Sequence, residues 1–492
     1  MSEGESQNFA EETSPFPNYS TIIDASQESK VLVEPSNSST GNKGKLTFHL
    51  ALGAIVCFAG SSLQFGYNLS VINAPQSVIE KHFENVKRFK EFLWPFAVAI
   101  FAVGGMGGAF IGPYIAKAIG RKRTLMLNNA LAISGGIFLG VTKMADSVTI
   151  LVIGRFLVGI NAGVNTVVAP MYLSEIAPIN LRGSLGTLNQ FGIVSGLLLG
   201  NILGLGEILG NENGWPYLFA ITGVIGVLQL CVLPFCSESP RYLLAIKKDE
   251  ANAIINLQKL RGSDDVQAEI QEIKMDAEKE ASQETVSIIE TIFKNILYYS
   301  TELFKEIGLS IPESQKASCG VGALSVIMTL VCMVLVDKKG RRFLLLVGLG
   351  GMIVLYAVTT VAFKYVEDKK DWAPILGVVC TLGAVVFFQA GPGAIPWFIV
   401  AELFSQNSLS AAVSVAGPMN WLGNFVVGLL FPVIKDKVHP YTFIPFIVLL
   451  VIFFAFTYLV VPETKGLSIA QINRILRKDG GAAGYPDEAD KK

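Results

Sequence analysis

The sequence predicts an all-helical protein that crosses a lipid bilayer many times and is built from two related halves. The chain of 492 residues is 51% hydrophobic and only 16% charged, whereas an average soluble protein is about 25% charged. Its apolar runs are long enough to cross a membrane, which takes about 20 residues. A set of charged motifs occurs once in each half of the chain.

Eleven apolar runs have the length of a membrane span. A twelfth, at 286–304, contains Glu290 and Lys294 and is expected to make a short, strained crossing. If it did not cross, every later segment would be inverted and the basic residues at 337–342 would lie outside, against the positive-inside rule. The eleven clear runs lie at 50–72, 94–116, 124–142, 148–171, 187–206, 216–235, 318–336, 343–363, 374–400, 410–432 and 441–461.

The segments outside these runs define the domain prediction. Residues 1–45 are rich in Ser, Glu, Asn and Pro and lack the pattern of a signal peptide, which predicts a disordered tail. Residues 237–285 are charged with a helical pattern and predict a cytoplasmic helical linker. The prediction is a cytoplasmic tail at 1–45, a membrane half at 46–236, the linker at 237–285, a second membrane half at 286–466 and a cytoplasmic tail at 467–492.

Charge and composition limit the kinds of partner and site that can be expected. The basic cluster at 121–123 follows the second run and assigns that end to the cytoplasm, so both termini are expected to be cytoplasmic. A net charge of −1 gives no reason to expect nucleic acid as a partner. The six Cys lie in or beside apolar runs without metal-site spacing, and the three His are scattered. We therefore expect a lipid bilayer around the chain, no metal, no cofactor and no enzymatic site.

Three motifs recur in the same order along the chain. In the first half they begin at Gly120, at Pro170 and at Ser237, and contain Arg121, Glu175 and Glu238. The second-half copies carry Gly340, Glu402 and Glu463, which lie 220, 227 and 225 residues after their counterparts. Such agreement indicates two homologous halves of six spans each. Parallel repeats of this kind are the architecture of major-facilitator transporters, with the substrate between the halves.

The recurring charges are predicted to form a gate. Opposite charges at the cytoplasmic ends of spans can pair between helices and hold that side shut until the carrier opens. The alternative is that they are only topology anchors; this suits isolated Lys and Arg, but Glu gains nothing from the positive-inside rule. The predicted gating residues are Arg121, Arg155, Glu175, Arg182, Glu238, Arg241, Asp337, Arg341, Arg342, Glu402 and Glu463, with Tyr298 and Tyr299 as an outer lid.

One apolar run, at 387–402, is interrupted by two prolines and two glycines. Pro392 and Pro396 each remove a backbone donor, which predicts a broken helix. Carbonyl groups freed inside a membrane need partners in the protein or in a water-filled cavity. Gln389 and Trp397 flank the break and predict the wall of a polar cavity. A purely structural kink is the alternative, because Gly and Pro are common in membrane helices.

The ordered motifs resemble the sugar porter family, and most closely the facilitative glucose transporters of animals. The resemblance runs through most of 46–470. Its matching segments are 63–68, 71–76, 154–156, 182–183, 186–190, 237–241, the Gly-Pro-Gly-Ala-Ile-Pro-Trp break, Asn420-Trp421 with Asn424, and 462–466.

The resemblance implies a uniporter that binds a hexose between its halves and moves it by alternating access. Carried over by motif, the sugar contacts are Gln190, Gln389, Trp397, Asn420 and Asn424. The residue types suit that substrate, since one amide offers both a donor and an acceptor to a hydroxyl. An indole covers the apolar face of a sugar ring. For Asn420, a hydrogen bond between helices is an equal alternative.

The residue at position 68 indicates that transport is not coupled to protons. Proton-coupled sugar porters resemble this chain but have Asp where Asn68 stands, and an amide carries no proton.

Lys117 stands where the family has an acid or Asn, while the second copy keeps Asp337. Gln389 stands where the family has Glu, and the Arg expected near Leu409 to partner Glu402 is replaced. These changes weaken individual gate pairs in the prediction.

The largest departure is at 286–304. The family's amide-rich half of this span, which supplies main sugar contacts, is missing before Tyr298 and Tyr299. The prediction is nevertheless a facilitative hexose transporter of the plasma membrane, monomeric in function, with self-association left open and glucose not ranked against fructose. One alternative is a non-transporting or regulatory variant of a sugar transporter. Another is a carrier of a different polar substrate, such as a polyol or dehydroascorbate.

Overall fold

The computed structural model describes residues 45–280, 311–367, 370, 372–404, 406–438 and 441–465. Within these ranges the chain forms helices and turns without a strand, which confirms the all-helical prediction. The span predicted at 286–304, with Tyr298 and Tyr299, lies outside the described residues. The first membrane half contains α1 (Phe48–Ser70), α2 (Gln76–His82), α3 (Trp94–Ile119), α4 (Arg121–Val141), α5 (Val148–Ile176), α6 (Arg182–Leu203) and α7 (Trp215–Val232).

Three linker helices and six further helices follow. The linker helices are α8 (Pro240–Ala245), α9 (Glu250–Arg261) and α10 (Gln267–Glu280). After them come α11 (Ile311–Lys339), α12 (Arg341–Glu367), α13 (Trp372–Ala390), α14 (Pro396–Leu403), α15 (Gln406–Val438) and α16 (Ile444–Leu459). In the described part of the chain, seven helical segments are long and apolar enough to cross a membrane: Phe48–Ser70, Trp94–Ile119, Arg121–Val141, Val148–Ile176, Trp215–Phe235, Ser318–Lys339 and Arg341–Tyr365.

Close backbone contacts between helices depend on small residues. A Cβ atom added to Gly163 of α5 would lie 2.2 Å from the carbonyl oxygen of Gly105 in α3. On α1, a Cβ added to Gly66 would lie 1.8 Å from the carbonyl oxygen of Ile193 in α6. Small residues let helices approach in a membrane, where association is driven by packing rather than by water. The glycines therefore set the spacing of the first half.

The predicted break in the run 387–402 is confirmed. Helix α13 ends at Ala390 and α14 begins at Pro396, with turns between them. The carbonyl oxygen of Phe388 accepts the N–H of Gly393 at 2.7 Å, so one freed carbonyl is satisfied within the break. Gln389 lies at the end of the first segment and Trp397 at the start of the second.

The linker helices form a small apolar core of their own and lie against one end of the membrane helices, here called the linker side. Their core includes Tyr242, Leu257 and Ile270. Arg261 donates to the carbonyl oxygen of Ile176 at the end of α5, at 2.9 Å. The hydroxyl of Thr47, just before α1, donates to the carbonyl oxygen of Leu260 at 2.8 Å. These two bonds attach α9 to α5 and α1.

Candidate functional site

Three of the predicted substrate residues form one hydrogen-bonded group between the two halves. Trp397 donates its indole N–H to Gln190 Oε1 at 2.9 Å. Gln190 Nε2 donates to Gln389 Oε1 at 3.1 Å. The Thr329 hydroxyl of α11 lies 3.2 Å from the same Gln389 oxygen. Gln190 belongs to the first half and the other three residues to the second, so this group joins the halves at the broken helix.

The break in α13 and α14 positions two of these side chains. Because Pro396 cannot donate a backbone hydrogen bond, it begins a new helix and places Trp397 in the first turn. Gln389 is fully buried at the end of the preceding segment. Among the residues that the structure describes, its Nε2 atom has no hydrogen-bond partner. Buried polar groups are normally paired, so this nitrogen is a donor that can still accept a partner.

Asn420 and Asn424 lie one turn apart on α15. Asn424 Nδ2 donates to the carbonyl oxygen and to the Oδ1 of Asn420, both at 3.0 Å. This bond to a carbonyl fixes the orientation of the Asn424 amide, whose buried Oδ1 has no partner in the described part of the chain. Asn424 therefore presents an open acceptor, as Gln389 presents an open donor.

A small cavity of about 70 Å³ lies between α5, α14 and α15, and it has room for several water molecules. Of its lining residues, Thr166, Trp397 and Asn420 carry side-chain nitrogen or oxygen, and none is charged. The other lining residues include Val167, Met171 and similar apolar side chains. A largely apolar cavity with a few polar groups suits a neutral polar molecule.

Two residues that were not predicted as site residues contact this group and the cavity: Thr329 contacts Gln389, and Trp421 contacts Thr166 of the cavity lining. Trp421 is 1% exposed and packs against the rings of Phe65 and Phe101, each with a ring centroid 5.4 Å away. Its indole N–H donates to the Thr166 hydroxyl at 3.2 Å. Trp421 was visible in the motif beside Asn420, whereas Thr329 sits in an apolar run that gives no signal.

In the first half, the recurring charges meet on the linker side. Arg121 at the start of α4 pairs with Glu175 at the end of α5, with Nη2 and Oε1 2.6 Å apart and both side chains buried. Glu238 Oε1 accepts the backbone N–H groups of Arg121 at 3.1 Å and Lys122 at 3.2 Å. Glu238 thus caps α4 in a region where burial raises the pKa of its carboxyl above the usual range.

The second half repeats this arrangement. Arg341 at the start of α12 makes two bonds to Glu402, Nη2–Oε1 at 2.9 Å and Nε–Oε2 at 3.2 Å. Glu463 accepts the backbone N–H groups of Arg341 at 2.8 Å and Arg342 at 3.1 Å. The residue before each capped helix is a glycine with positive φ, +94° at Gly120 and +92° at Gly340. The match in geometry supports the duplication inferred from the sequence.

The two halves also touch on the linker side. Asp337 of α11 accepts hydrogen bonds from the backbone N–H of Ser184, at 3.1 Å, and from its hydroxyl. Arg341 Nη1 lies 3.4 Å from the same carboxylate. A Cβ atom on Gly183 would lie 2.0 Å from Asp337 Oδ1, so only glycine permits this contact. Gly183 belongs to the matching segment 182–183, whereas Ser184 was not singled out from the sequence.

The other predicted gating residues take different positions. The Arg342 side chain donates to the carbonyl oxygen of Tyr458 and lies over that ring. Arg182, at the start of α6, lies in the electrostatic field of Arg241, Arg341 and Glu402. Arg342 and Arg182 therefore lie on the linker side, beside the charged pairs described above.

The predicted position of Arg155 at that end is wrong. Arg155 lies two turns into α5, and Glu175 lies 20 residues further along the same helix, roughly 30 Å away. Arg155 donates to the carbonyl oxygen of Asn68 at 3.2 Å, and its guanidinium lies 4.3 Å from the Phe101 ring centroid. It belongs to the interior of the first half, because charge alone does not give depth along a helix.

Comparison with known proteins agrees with this architecture. A family model described as sugar (and other) transporter matches residues 53–476. The chain belongs to this family. Its membership of a transporter family confirms the expectation that it is not an enzyme. The predicted major-facilitator fold is likewise confirmed, because the structure is similar to that of XylE, a transporter of the major facilitator superfamily.

Individual members give the degree of similarity. The solute carrier family 2, facilitated glucose transporter member 3 of Gallus gallus is 42% identical over 467 residues, covering 88% of this chain and 93% of that protein. The proton:xylose symporter XylE of E. coli bound to 6-bromo-6-deoxy-D-glucose is 26% identical, with a TM-score of 0.78, covering 87% of this chain and 99% of the other. An inward open conformation of XylE is 25% identical, with a TM-score of 0.63, covering 86% and 98%.

Proposed function

We propose that the chain is a facilitative hexose transporter, a uniporter that moves glucose across the plasma membrane by alternating access. The observation that carries the proposal is the hydrogen-bonded group of Trp397, Gln190 and Gln389 between the halves, together with two buried amide atoms, Gln389 Nε2 and Asn424 Oδ1, that have no partner among the described residues. One donor and one acceptor are what a sugar hydroxyl or two neighbouring hydroxyls require. A relative at 42% identity that is named a facilitated glucose transporter supports glucose as the substrate.

Proton coupling is not expected, because the polar residue beside Arg155 is an amide. Asn68 donates to the carbonyl oxygen of Gln64 at 2.8 Å and accepts the hydroxyl hydrogen of Thr222 at 2.7 Å. Both roles are met by an amide that never changes its charge. The proposed carrier therefore runs down the sugar gradient in either direction.

Closure of the linker side is proposed as one state of the transport cycle. The Ser184–Asp337 contact joins the two halves on that side, and the buried pairs Arg121–Glu175 and Arg341–Glu402 each hold helices together within one half beside it. The larger TM-score for sugar-bound XylE than for its inward open form is in line with this assignment. With both termini and the linker in the cytoplasm, the Ser184–Asp337 contact belongs to the inner gate and breaks when the carrier opens inward.

The test is uptake of labelled glucose and fructose into vesicles that carry the purified chain in verified orientation, with and without an imposed proton gradient. Saturable uptake that is independent of the proton gradient is the expected result. The ratio of the two sugars ranks them as substrates. Absence of uptake by correctly inserted protein would contradict the proposal and favour a non-transporting or regulatory variant, which the altered segment at 286–304 motivates. Uptake of polyols in place of hexoses would assign a different substrate.

A further inference from the structure

The middle of α1 contains a π-helical turn, Cys57–Ser62. Its hydrogen bonds connect residues five apart, as in the bond from the Leu63 N–H to the Phe58 carbonyl oxygen. Such a turn holds one residue more than an α-helical turn, in which each residue rotates by about 100° around the axis. The residues that follow the turn therefore face a direction about 100° away from the one that a regular helix would give them.

Gln229 of α7 connects the two ends of this turn. Its Nε2 donates to the carbonyl oxygen of Val56 at 3.2 Å and to the hydroxyl oxygen of Ser61 at 2.8 Å. In a regular α-helix, positions five apart lie about 140° apart around the axis, whereas the wider turn brings them toward one side. One nitrogen reaches both oxygens because the turn is π-helical, and the two bonds hold the turn in that form.

The turn has room for this amide only because of a glycine. Gln229 is buried, and a Cβ atom added to Gly60 would lie 2.3 Å from the Cδ atom of Gln229. A buried amide has to find its hydrogen-bond partners within the protein, and Val56 and Ser61 supply them. Gln229 lies outside the set of described residues that line the cavity. The amide, the glycine and the turn thus form one structural unit beside the site.

The direction of α1 after the turn is fixed by two contacts. Gly66 faces α6, where an added Cβ atom would lie 1.8 Å from the carbonyl oxygen of Ile193. Its neighbour Phe65 faces the second half, with its ring centroid 5.4 Å from that of Trp421 and 6.4 Å from that of Trp397. Rotating this part of α1 by one residue would bring a side chain into the contact of Gly66 and move Phe65 away from both indoles.

We propose that Gln229 is a positioning residue: by holding the π-helical turn of α1, it fixes the place of Phe65 against Trp397 and Trp421. The proposal rests on the proposed function in taking Trp397 to be a sugar contact. Trp397 donates to Gln190, so a displacement of Phe65 is passed on to the hydrogen-bonded group between the halves. Gln229 therefore affects sugar affinity from outside the cavity.

The first test observes the two indoles without any sugar. The purified full chain is labelled with 5-fluorotryptophan, and the fluorine signals of its five tryptophans are assigned by replacing each with phenylalanine. Gln229→Met keeps the length of the side chain but has no N–H, so the turn loses both bonds. The signals of Trp397 and Trp421 should shift, because both indoles lie beside the ring of Phe65.

Controls show whether the effect is local. The signals of Trp94, at the start of α3, and Trp372, at the start of α13, should stay in place. Gln76→Met makes the same change at an exposed residue and should shift none of the four signals. Ser61→Ala removes only one of the two bonds and should shift the same two signals by less. Unshifted signals in Ser61→Ala overturn the inference even if Gln229→Met does not fold.

The second test measures glucose exchange in vesicles. Gln229→Met should raise the half-saturating glucose concentration about 10-fold and leave the maximal rate little changed. Phe65→Leu should have a similar effect. Adding Gln229→Met to Phe65→Leu should then change the half-saturating concentration little further, because the two residues act in series. Independent structural effects would multiply in the double variant.

The outcomes separate this inference from the transport function. Unshifted signals of Trp397 and Trp421 in Gln229→Met overturn the inference, whether or not the chain transports glucose. Shifts of every tryptophan signal, or effects of Gln229→Met and Phe65→Leu that multiply, assign a general structural role to Gln229 and overturn it as well. Shifts confined to the two indoles, without glucose exchange by the wild type, contradict the transport function alone.

Discussion

Asp337, in the second half of the chain, accepts hydrogen bonds from both the backbone N–H and the hydroxyl of Ser184, in the first half. The contact joins the linker-side end of α11 to that of α6. It holds the two halves together where an alternating-access carrier has to separate them. The strength of this contact should therefore set the fraction of molecules that are closed on the linker side.

Removing one of these bonds should favour opening. Ser184→Ala deletes the hydroxyl but keeps the backbone bond, and a hydrogen bond to a carboxylate is strong enough for about a tenfold shift in the equilibrium. Hydrogen–deuterium exchange of the peptides around 184 and 337 should become faster by that factor. Ser134→Ala is the control, since its hydroxyl bonds only within its own helix. Unchanged exchange in Ser184→Ala would show that the contact does not hold the halves together.

Replacing only one member of the Arg341–Glu402 pair should lower the stability of the protein. Both side chains are about 5% exposed and share two hydrogen bonds. Glu402→Gln removes the nearer carboxylate of the buried guanidinium and leaves it with Asp337, 3.4 Å away and partly exposed, which should cost about 3 kcal/mol of stability. The measurement is unfolding of the purified chain in detergent.

A double variant separates pairing from packing. Arg341→Met combined with Glu402→Leu removes both charges and should recover much of the stability lost in Glu402→Gln, since replacing a whole buried pair by apolar residues is often neutral. If the double variant is as unstable as the sum of two single ones, the two residues do not act as a pair.

Close helix packing can be tested by comparing a glycine at a helix contact with one in open space. Gly163→Ala places a Cβ 2.2 Å from the Gly105 carbonyl oxygen, and overpacking of this kind should cost about 1–3 kcal/mol. Gly107→Ala is the matched control, because no atom of the described residues lies within 4 Å of its added Cβ. Thermal unfolding of both variants checks the prediction. Similar melting of the two variants would argue against the backbone contact between α3 and α5.

Asn68→Asp should make transport depend on pH. The Asn68 amide donates to the Gln64 carbonyl oxygen. An aspartic acid can replace that bond only while it is protonated, and its charged form would place two acceptors against each other. Uptake by Asn68→Asp should therefore fall as pH rises, whereas wild-type uptake changes little. Parallel pH profiles for the two proteins would contradict the assignment of Asn68 as the neutral counterpart of a proton carrier.

Local chemistry made several features of the fold predictable. Two prolines and two glycines in one apolar run predicted the break between α13 and α14, because proline has no N–H to donate to the helical hydrogen bonds. The repeated motifs predicted which end of the spans would carry Arg121, Glu175, Arg341 and Glu402. Each of these residues lies within a turn of a helix end, so the sequence gives its depth directly.

Contacts between distant segments were less predictable. Arg155 was assigned to the wrong end, although the short connection before Val148 would have located it two turns into α5. Thr329 and Ser184 carry no sequence signal because their roles arise only when α11 packs against α13 and against α6, respectively. The direction of the bonds from Trp397 through Gln190 to Gln389 likewise depends on three helices meeting, which no single stretch of sequence encodes.

The most direct test of the account is glucose exchange by vesicles that contain equal amounts of wild-type chain or of Gln190→Leu, without any ion gradient. Gln190 receives the bond from Trp397 and orients Gln389, so its loss should raise the half-saturating glucose concentration at least about 10-fold. Saturable exchange by the wild type with this loss in the variant is the predicted result. Equal exchange by both proteins, or none by the wild type, would contradict a sugar site at these residues.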